Sequence, residues 1–366
     1  MNEFERNKVA SINGVDVFVS SKFRSSQSKS ISEVLNTQLK GFVNVKVCGM
    51  KYNKIYLEPY VCSNLENYEF VPGTYKYTSD NEKMFILKNK NSLRITDKAI
   101  YFGLDSIFGL SIHYLYFLCL TLSEKTLVHA AAFKIGGMNI LIPAFGGIGK
   151  TFLVSKYSEN KDVSIYGDDL VLLDKDVKIY PYHRPMCLYK YHYDKYLKSR
   201  LPDKLYYFYP SLLWRIVLRI RMELLDKFGW KIGNVENITH SKGYITTKVR
   251  SILSKNQIPT EGAALDKIIV IKRKKIPSVI INKIFREEEK KCSAKYVSSI
   301  VHHEWADYYR SILAYNAFTN RSTALQLKIT EDLIENAFLN TEEIYEINIP
   351  IEATDLEIEQ ALEKVL

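Results

Sequence analysis

Residues 140–152 read ILIPAFGGIGKTF, an apolar run that ends in a glycine-rich turn and then in Gly149-Lys150-Thr151. These residue types suit an anion of the phosphate kind. Glycines let backbone N–H groups turn inward around anionic oxygens with no Cβ in the way. A helix opening near Lys150 would aim its positive end at the same anion. The Lys150 ammonium would reach the β- and γ-phosphates of a nucleotide, and the Thr151 hydroxyl would hold Mg²⁺. The full phosphate-loop pattern is G-x-x-x-x-G-K-[ST], and Ala144 stands at its first position. The candidate loop is therefore Ala144, Phe145, Gly146, Gly147, Ile148, Gly149, Lys150 and Thr151. The bland alternative is a tight strand–helix turn carrying a chance Lys-Thr.

A second group follows the loop. A short apolar strand over 163–166 delivers Gly167-Asp168-Asp169. A carboxylate at a strand end can bind Mg²⁺ or accept the proton of an attacking hydroxyl. Two adjacent carboxylates near one metal would have their pKa values driven apart and could divide these tasks. Gly-Asp-Asp is also ordinary turn composition, which is the competing account. A third element is His129, in TLVHAAAFKI upstream of the loop. That run and MNILIPAF flank Gly136-Gly137, a hairpin signal, so pairing would bring the His129 end of the strand towards the loop. Histidine in an apolar strand is often only a satisfied core residue. The small side chains of Ala130, Ala131 and Ala132 beside it leave room for a close approach.

Taken together, VHAAAFKI, NILIPAFGGIGKT and SIYGDDLVLLD resemble the P-loop kinase core of HPr kinase/phosphorylase. They resemble still more closely the HPr-kinase-related proteins found with peptide-modification gene clusters. The resemblance covers about 110–190 and rests on His129, the Ala144–Thr151 loop and the Asp168-Asp169 pair, in that order. It implies a nucleotide fold like that of PEP carboxykinase, a mixed sheet with the loop at one strand end. It also implies ATP and Mg²⁺ as cofactors. By motif position Lys150 would contact the phosphates, and Thr151 and Asp168 would serve the metal. One of Asp168 and Asp169 would be the base for a substrate serine, and His129 would lie beside the transferred phosphate. The chain departs from the family at Ala144, and it has no Arg-Gly dipeptide where HPr kinase/phosphorylases carry E-x-R-G-x-G.

These groups need a scaffold, and the chain has the length for it. It has 366 residues with 46% hydrophobic content, 26 Tyr, 17 Phe, 16 Gly and 10 Pro. That composition predicts folded protein without low-complexity segments. Alternating patterns at 14–20 and 42–48, Tyr- and Val-rich runs at 53–60 and 68–76, and two strand-like runs within 83–101 predict a β-rich N-terminal domain over 1–100. The expected class is α/β (α+β), with the P-loop core over 101–366 and a less regular elaboration at about 195–262. Helices are expected over 106–124, over the short segment after Lys150, over 211–228 and over 293–318. Strands are expected at 265–273 and 278–284, and a last strand and helix form the tail. Thr354 and Glu357 spell a capping box for that final helix.

Compartment and partners are less sharply drawn. Five cysteines without C-x-x-C spacing argue against zinc and disulfides and favour a reducing cytoplasm. MNEFERNKVASING has no apolar run, so no signal peptide is expected. The 106–122 stretch is expected to be a buried core helix and not a membrane span. The net charge of +10 favours anionic partners without a strong nucleic-acid signal. The phosphoacceptor is expected to be a peptide, a protein or a small molecule, and acidic, with Arg184, Arg215 and Arg219 as contacts. A metabolite kinase and a non-catalytic nucleotide-binding protein stay open beside a peptide kinase, as does homo-oligomerisation. His302-His303-Glu304 and the basic run 272–275 read as surface or packing residues.

Overall fold

A computed structural model describes residues 8–12, 15–20, 54–59, 68–71, 74–79, 82–87, 91–95, 100–104, 125–182, 186–189, 244–247, 253–304, 306 and 324–366. The expected strand at 42–48 and the expected helices at 106–124 and 211–228 lie outside these residues, as do Arg184, Arg215 and Arg219.

The N-terminal strands are β1 (Lys8–Ile12), β2 (Val15–Val19), β3 (Lys54–Pro59), β4 (Tyr68–Val71), β5 (Thr74–Ser79), β6 (Glu82–Leu87), β7 (Asn91–Ile95) and β8 (Ile100–Leu104). They form one eight-stranded sheet in the order β1-β2-β3-β8-β7-β6-β5-β4. The expected run 68–76 divides into β4 and β5, with Val71 opposite Thr74. Pro72-Gly73 between them is turn chemistry. Phe18, Tyr56 and Tyr101 stack across neighbouring strands on one face, with ring centroids 5.2 Å apart in each pair.

The second part holds the candidate site. Its elements begin with β9 (Lys125–Val128), β10 (Ala130–Ile135), β11 (Met138–Pro143), α1 (Lys150–Tyr157), β12 (Ser164–Gly167), β13 (Val171–Asp174) and β14 (Lys178–Tyr180). They continue with β15 (Met186–Tyr189), β16 (Tyr244–Thr247), β17 (Ala263–Ala264), β18 (Lys267–Lys274), β19 (Ile280–Lys283), α2 (Glu287–Glu304), α3 (Ala324–Asn340), β20 (Glu343–Pro350) and α4 (Asp355–Glu363). A six-stranded mixed sheet runs β12-β10-β11-β18-β20-β19, and a four-stranded sheet runs β17-β14-β13-β9. The class is mixed α/β. β15 pairs antiparallel with β16, so the chain leaving at Tyr189 returns beside its own start at Tyr244.

β18 sits between β11 and β20 and is parallel to both. A strand covered on both faces should be apolar without alternation, and KIIVIKRK is buried through its first five residues. One face of the sheet carries Phe133, Ile140, Ile142, Ile269, Ile271, Ile347 and Ile349. These pack on Phe152, Leu153 and Val154 of α1 and on Ile358, Ala361 and Leu362 of α4. α2 meets the loop and the sheet through Tyr296, and the Lys272 ammonium lies 4.4 Å from its ring centroid. Among the described residues, no helix is long and apolar enough to cross a membrane.

Three expectations need correction. TLVHAAAFKI is not one strand. It breaks at a bend on His129 into β9 and β10, which belong to different sheets. The helix expected from residue 293 begins at Glu287, because Glu287, Glu288 and Glu289 form a polar first turn that favours a helix N-terminus. The helix α3 lies in a stretch for which no element was expected.

Candidate active site

The loop hangs from the end of β11. Ala144 and Ile148 are buried in the core, while Gly146 and Gly147 form an exposed crown. Gly147 and Gly149 have φ of 79° and 95°. Side chains rarely adopt that region, so these two positions require glycine. Ala144 does not share it, since Val177 alone among the described non-glycine residues has positive φ. Ala144 is 0% exposed and its methyl packs in the core. Alanine at the first motif position therefore fits this loop without strain. Ala144→Gly, which would complete the motif, should lower stability by about 1–2 kcal/mol through a lost buried methyl and a freer unfolded chain. Urea denaturation would measure this.

Lys150 opens α1 and is 5% exposed. Its ammonium donates to the carbonyls of Ala144 at 2.8 Å and Phe145 at 3.0 Å, which folds the loop back upon itself. Gly149 is the N-cap and supplies no side-chain cap, and the first turn holds no acidic residue. An anion at this end would thus meet the helix dipole and the ammonium, with Asp355 Oδ1 of the last helix as the neighbouring carboxylate, 4.0 Å from where a Gly149 Cβ would stand. The far end of α1 is closed by Gln257, whose amide donates to the carbonyls of Ser158 at 3.0 Å and Asn160 at 2.9 Å. So the described stretch 253–260, part of the expected elaboration, docks behind the helix and away from the loop.

The register brings the other candidates to the loop. β10 and β11 form a two-residue hairpin at Gly136-Gly137, with Ala130 opposite Pro143. β12 runs antiparallel to β10, with Gly167 opposite Ala132. The start of β10, the end of β11 and the end of β12 therefore share one edge. At that edge the chain crosses between sheets twice, once through His129 into β10 and once through Gly167–Leu170 into β13. Backbone bonds join the crossings, from Ala130 N–H to the Asp169 carbonyl at 3.0 Å and from Ala144 N–H to the His129 carbonyl at 3.3 Å.

His129 Nε2 lies 2.7 Å from Asp169 Oδ1. An ionised carboxylate only accepts, so the imidazole donates Nε2–H here. The aspartates are unequal. Asp168 is 6% exposed, whereas Asp169 is 24% exposed against 5% for its histidine partner. The pair can orient Asp169 towards solvent while Asp168 faces inward. Gly167 makes this turn possible, because a Cβ there would lie 2.2 Å from the Leu170 carbonyl oxygen.

Among the described residues, no cluster of three or more His, Cys, Asp or Glu could hold a metal alone. Mg²⁺ fits such a site nonetheless, because it is commonly bound by one or two protein groups together with substrate phosphates. Thr151 and Asp168 are the residues that would hold it. The sequence did not point to the contacts of Phe145, whose ring meets those of Tyr296 and His303 on α2. Helical spacing within α2 could have flagged the two partners, but not their nearness to the loop. A scan of protein-family models and a search of curated proteins found no match for the chain.

Proposed function

We propose that the protein is an ATP-dependent kinase that transfers the γ-phosphate to a hydroxyl, on a serine or threonine of a peptide or protein. The observation that carries this reading is the convergence of the Gly149-Lys150-Thr151 loop, the His129–Asp169 pair and buried Asp168 at one sheet edge. The domain reading that goes with it is a β-rich N-terminal unit and an HPr kinase/PEP carboxykinase-like core.

Phosphoryl transfer needs mainly positioning and electrostatics. In this reading the amides of Gly146–Gly149 and the Lys150 ammonium hold the β- and γ-phosphates. Lys150 exchanges its carbonyl partners for phosphate oxygens. Asp168 and Thr151 would hold Mg²⁺, which would supply charge neutralisation for the triphosphate. Asp169, oriented by His129, takes the proton of the acceptor hydroxyl. As that O–H bond breaks, the new O–P bond forms, the bond from γ-phosphorus to the bridging oxygen breaks, and ADP leaves. Asp168 is better shielded and suits the metal, and Asp169 is better exposed and suits the acceptor.

Lys150→Met keeps an apolar stem in the buried position and removes the charge. It should raise the Kd for MgATP by about 10- to 100-fold, the worth of a charged hydrogen bond to phosphate. Calorimetric titration would read it, with thermal denaturation as the folding control. Unchanged ATP affinity in a folded Lys150→Met protein would end this reading of the loop.

A further inference from the structure

The Lys150 ammonium rests on the carbonyls of Ala144 and Phe145, at the start of the loop. That ammonium is the group a phosphate loop extends to the β- and γ-phosphates, so the terminal phosphate belongs at the loop start. Two flanks meet there. On the β10 side the Ala144 N–H donates to the His129 carbonyl, which sets the His129–Asp169 pair beside the loop start. On the other side lies β18, parallel to β11, with Ile140 opposite Lys267 and Leu141 opposite Ile268. The same register, continued past the end of β11, sets Lys272 level with Phe145. Side chains alternate along a strand. Arg273 turns to the carbonyls of Pro350, Ile351 and Ala353, and Lys272 turns to α2. There its ammonium covers the Tyr296 ring at 4.4 Å, and that ring meets the Phe145 ring at 5.7 Å.

The charges on this flank do not balance. Lys272 and Lys274 both pair with Glu346 of β20, and the Asn348 amide donates to the same carboxylate at 3.0 Å. Among the described residues, two ammoniums thus share one carboxylate and leave a positive surplus beside the loop. Glu346 keeps Lys274 and Asn348 if Lys272 moves away, so Lys272 can change partners without baring the carboxylate. Lys272 is 16% exposed and Lys274 is 49% exposed. An ammonium in the more buried position acts on an anion more strongly than one in open water. We propose that Lys272 is a second phosphate-binding residue, which leaves Glu346 for the γ-phosphate of a bound nucleoside triphosphate and stays on the transferred group through the reaction. Such a cation stabilises the charge on the oxygens of the transferred group. Lys272 remains protonated throughout, so the proton of the acceptor hydroxyl still passes to Asp169. The proposal rests on the phosphoryl-transfer reading.

The test is calorimetric titration of the full chain with MgADP and MgATP, in wild type, Lys272→Met and Glu346→Gln. Methionine keeps an apolar stem on the Tyr296 ring and removes the charge. Lys272→Met should lose about tenfold in MgATP affinity, the worth of a charged hydrogen bond, and leave MgADP affinity unchanged. Transfer of labelled γ-phosphate to a host extract should fall about 10²- to 10³-fold, as on removal of one transition-state donor. Glu346→Gln removes the competing carboxylate and should tighten MgATP, again with MgADP unchanged. Thermal denaturation checks folding, and the Glu346→Gln arm decides alone if the midpoint of Lys272→Met is shifted. A folded Lys272→Met protein that keeps the wild-type preference between the nucleotides, or weakens both equally, would overturn the assignment and leave the phosphate loop standing. So would a Glu346→Gln protein whose MgATP affinity fails to rise, because the ion pair would then serve only to hold the flank together. Failure of both nucleotides to bind wild type would overturn the loop reading, and the role of Lys272 with it.

Discussion

Asp169→Asn should leave MgATP affinity within about threefold of wild type and lower turnover by about 10²- to 10⁴-fold, the usual worth of a positioned general base. The substitution is nearly isosteric. The asparagine side chain can still accept from His129 Nε2–H through its own Oδ1, so the link that orients the residue is kept. What it loses is the capacity to take a proton. The backbone bond from Ala130 N–H to the residue 169 carbonyl is also untouched, and the turn should hold its shape. Transfer of labelled γ-phosphate to a host extract, measured beside ATP binding, separates the two effects. Wild-type transfer by Asp169→Asn would remove Asp169 from the base role. Loss of ATP binding would mean that the residue serves the nucleotide instead.

The parts of the site that could be read in the sequence are those with local causes. The β11–loop–α1 unit announces itself through an apolar run, glycines at φ-demanding positions and Lys-Thr, and the structure builds it at 138–157. The final helix is similar. Thr354 accepts from the Glu357 N–H while the Glu357 side chain accepts from the Thr354 N–H, the reciprocal bonds that T-x-x-E spells. The break at His129 has no such cause. TLVHAAAFKI is mostly apolar and holds no glycine or proline. The strand divides because β9 pairs with β13 while β10 pairs with β11 and β12. Tertiary pairing decides that, and composition does not.

Helix α3 carries a periodic signal in its own sequence. Its buried Thr330, Leu333, Ile334, Ala337 and Phe338 keep helical spacing. The Phe145–His303 contact could not have been read, since it joins a loop to a helix more than a hundred residues away. The inequality of Asp168 and Asp169 also needed the fold. Adjacent residues in a turn point in different directions, and only the surrounding sheets decide which one is buried.

Gly167→Ala should destabilise the protein by about 2–3 kcal/mol, as forced overpacking of a close contact does. The cause is space and not dihedral angle, since Gly167 is not among the glycines with positive φ. A Cβ there would sit 2.2 Å from the Leu170 carbonyl oxygen and 3.1 Å from Val171 Cγ2. Neither neighbour can retreat easily. Gly167 is held opposite Ala132 in one sheet, and Val171 is held opposite Val128 in the other. Four residues later the chain has changed sheets, so relief of the clash must break a ladder or move the Asp168-Asp169 turn. Movement of the turn would also pull Asp169 from His129, so residual folded protein should transfer phosphate poorly. Gly146→Ala is the matched control. Gly146 has no positive φ, and a Cβ there meets nothing within 4 Å, so its denaturation midpoint should stay at the wild-type value. Urea unfolding of the two variants side by side gives the comparison. A Gly167→Ala protein within about 0.5 kcal/mol of wild type, the usual range for neutral surface changes, would show that the turn can open, and Asp169 would then lack the rigid mount its role requires.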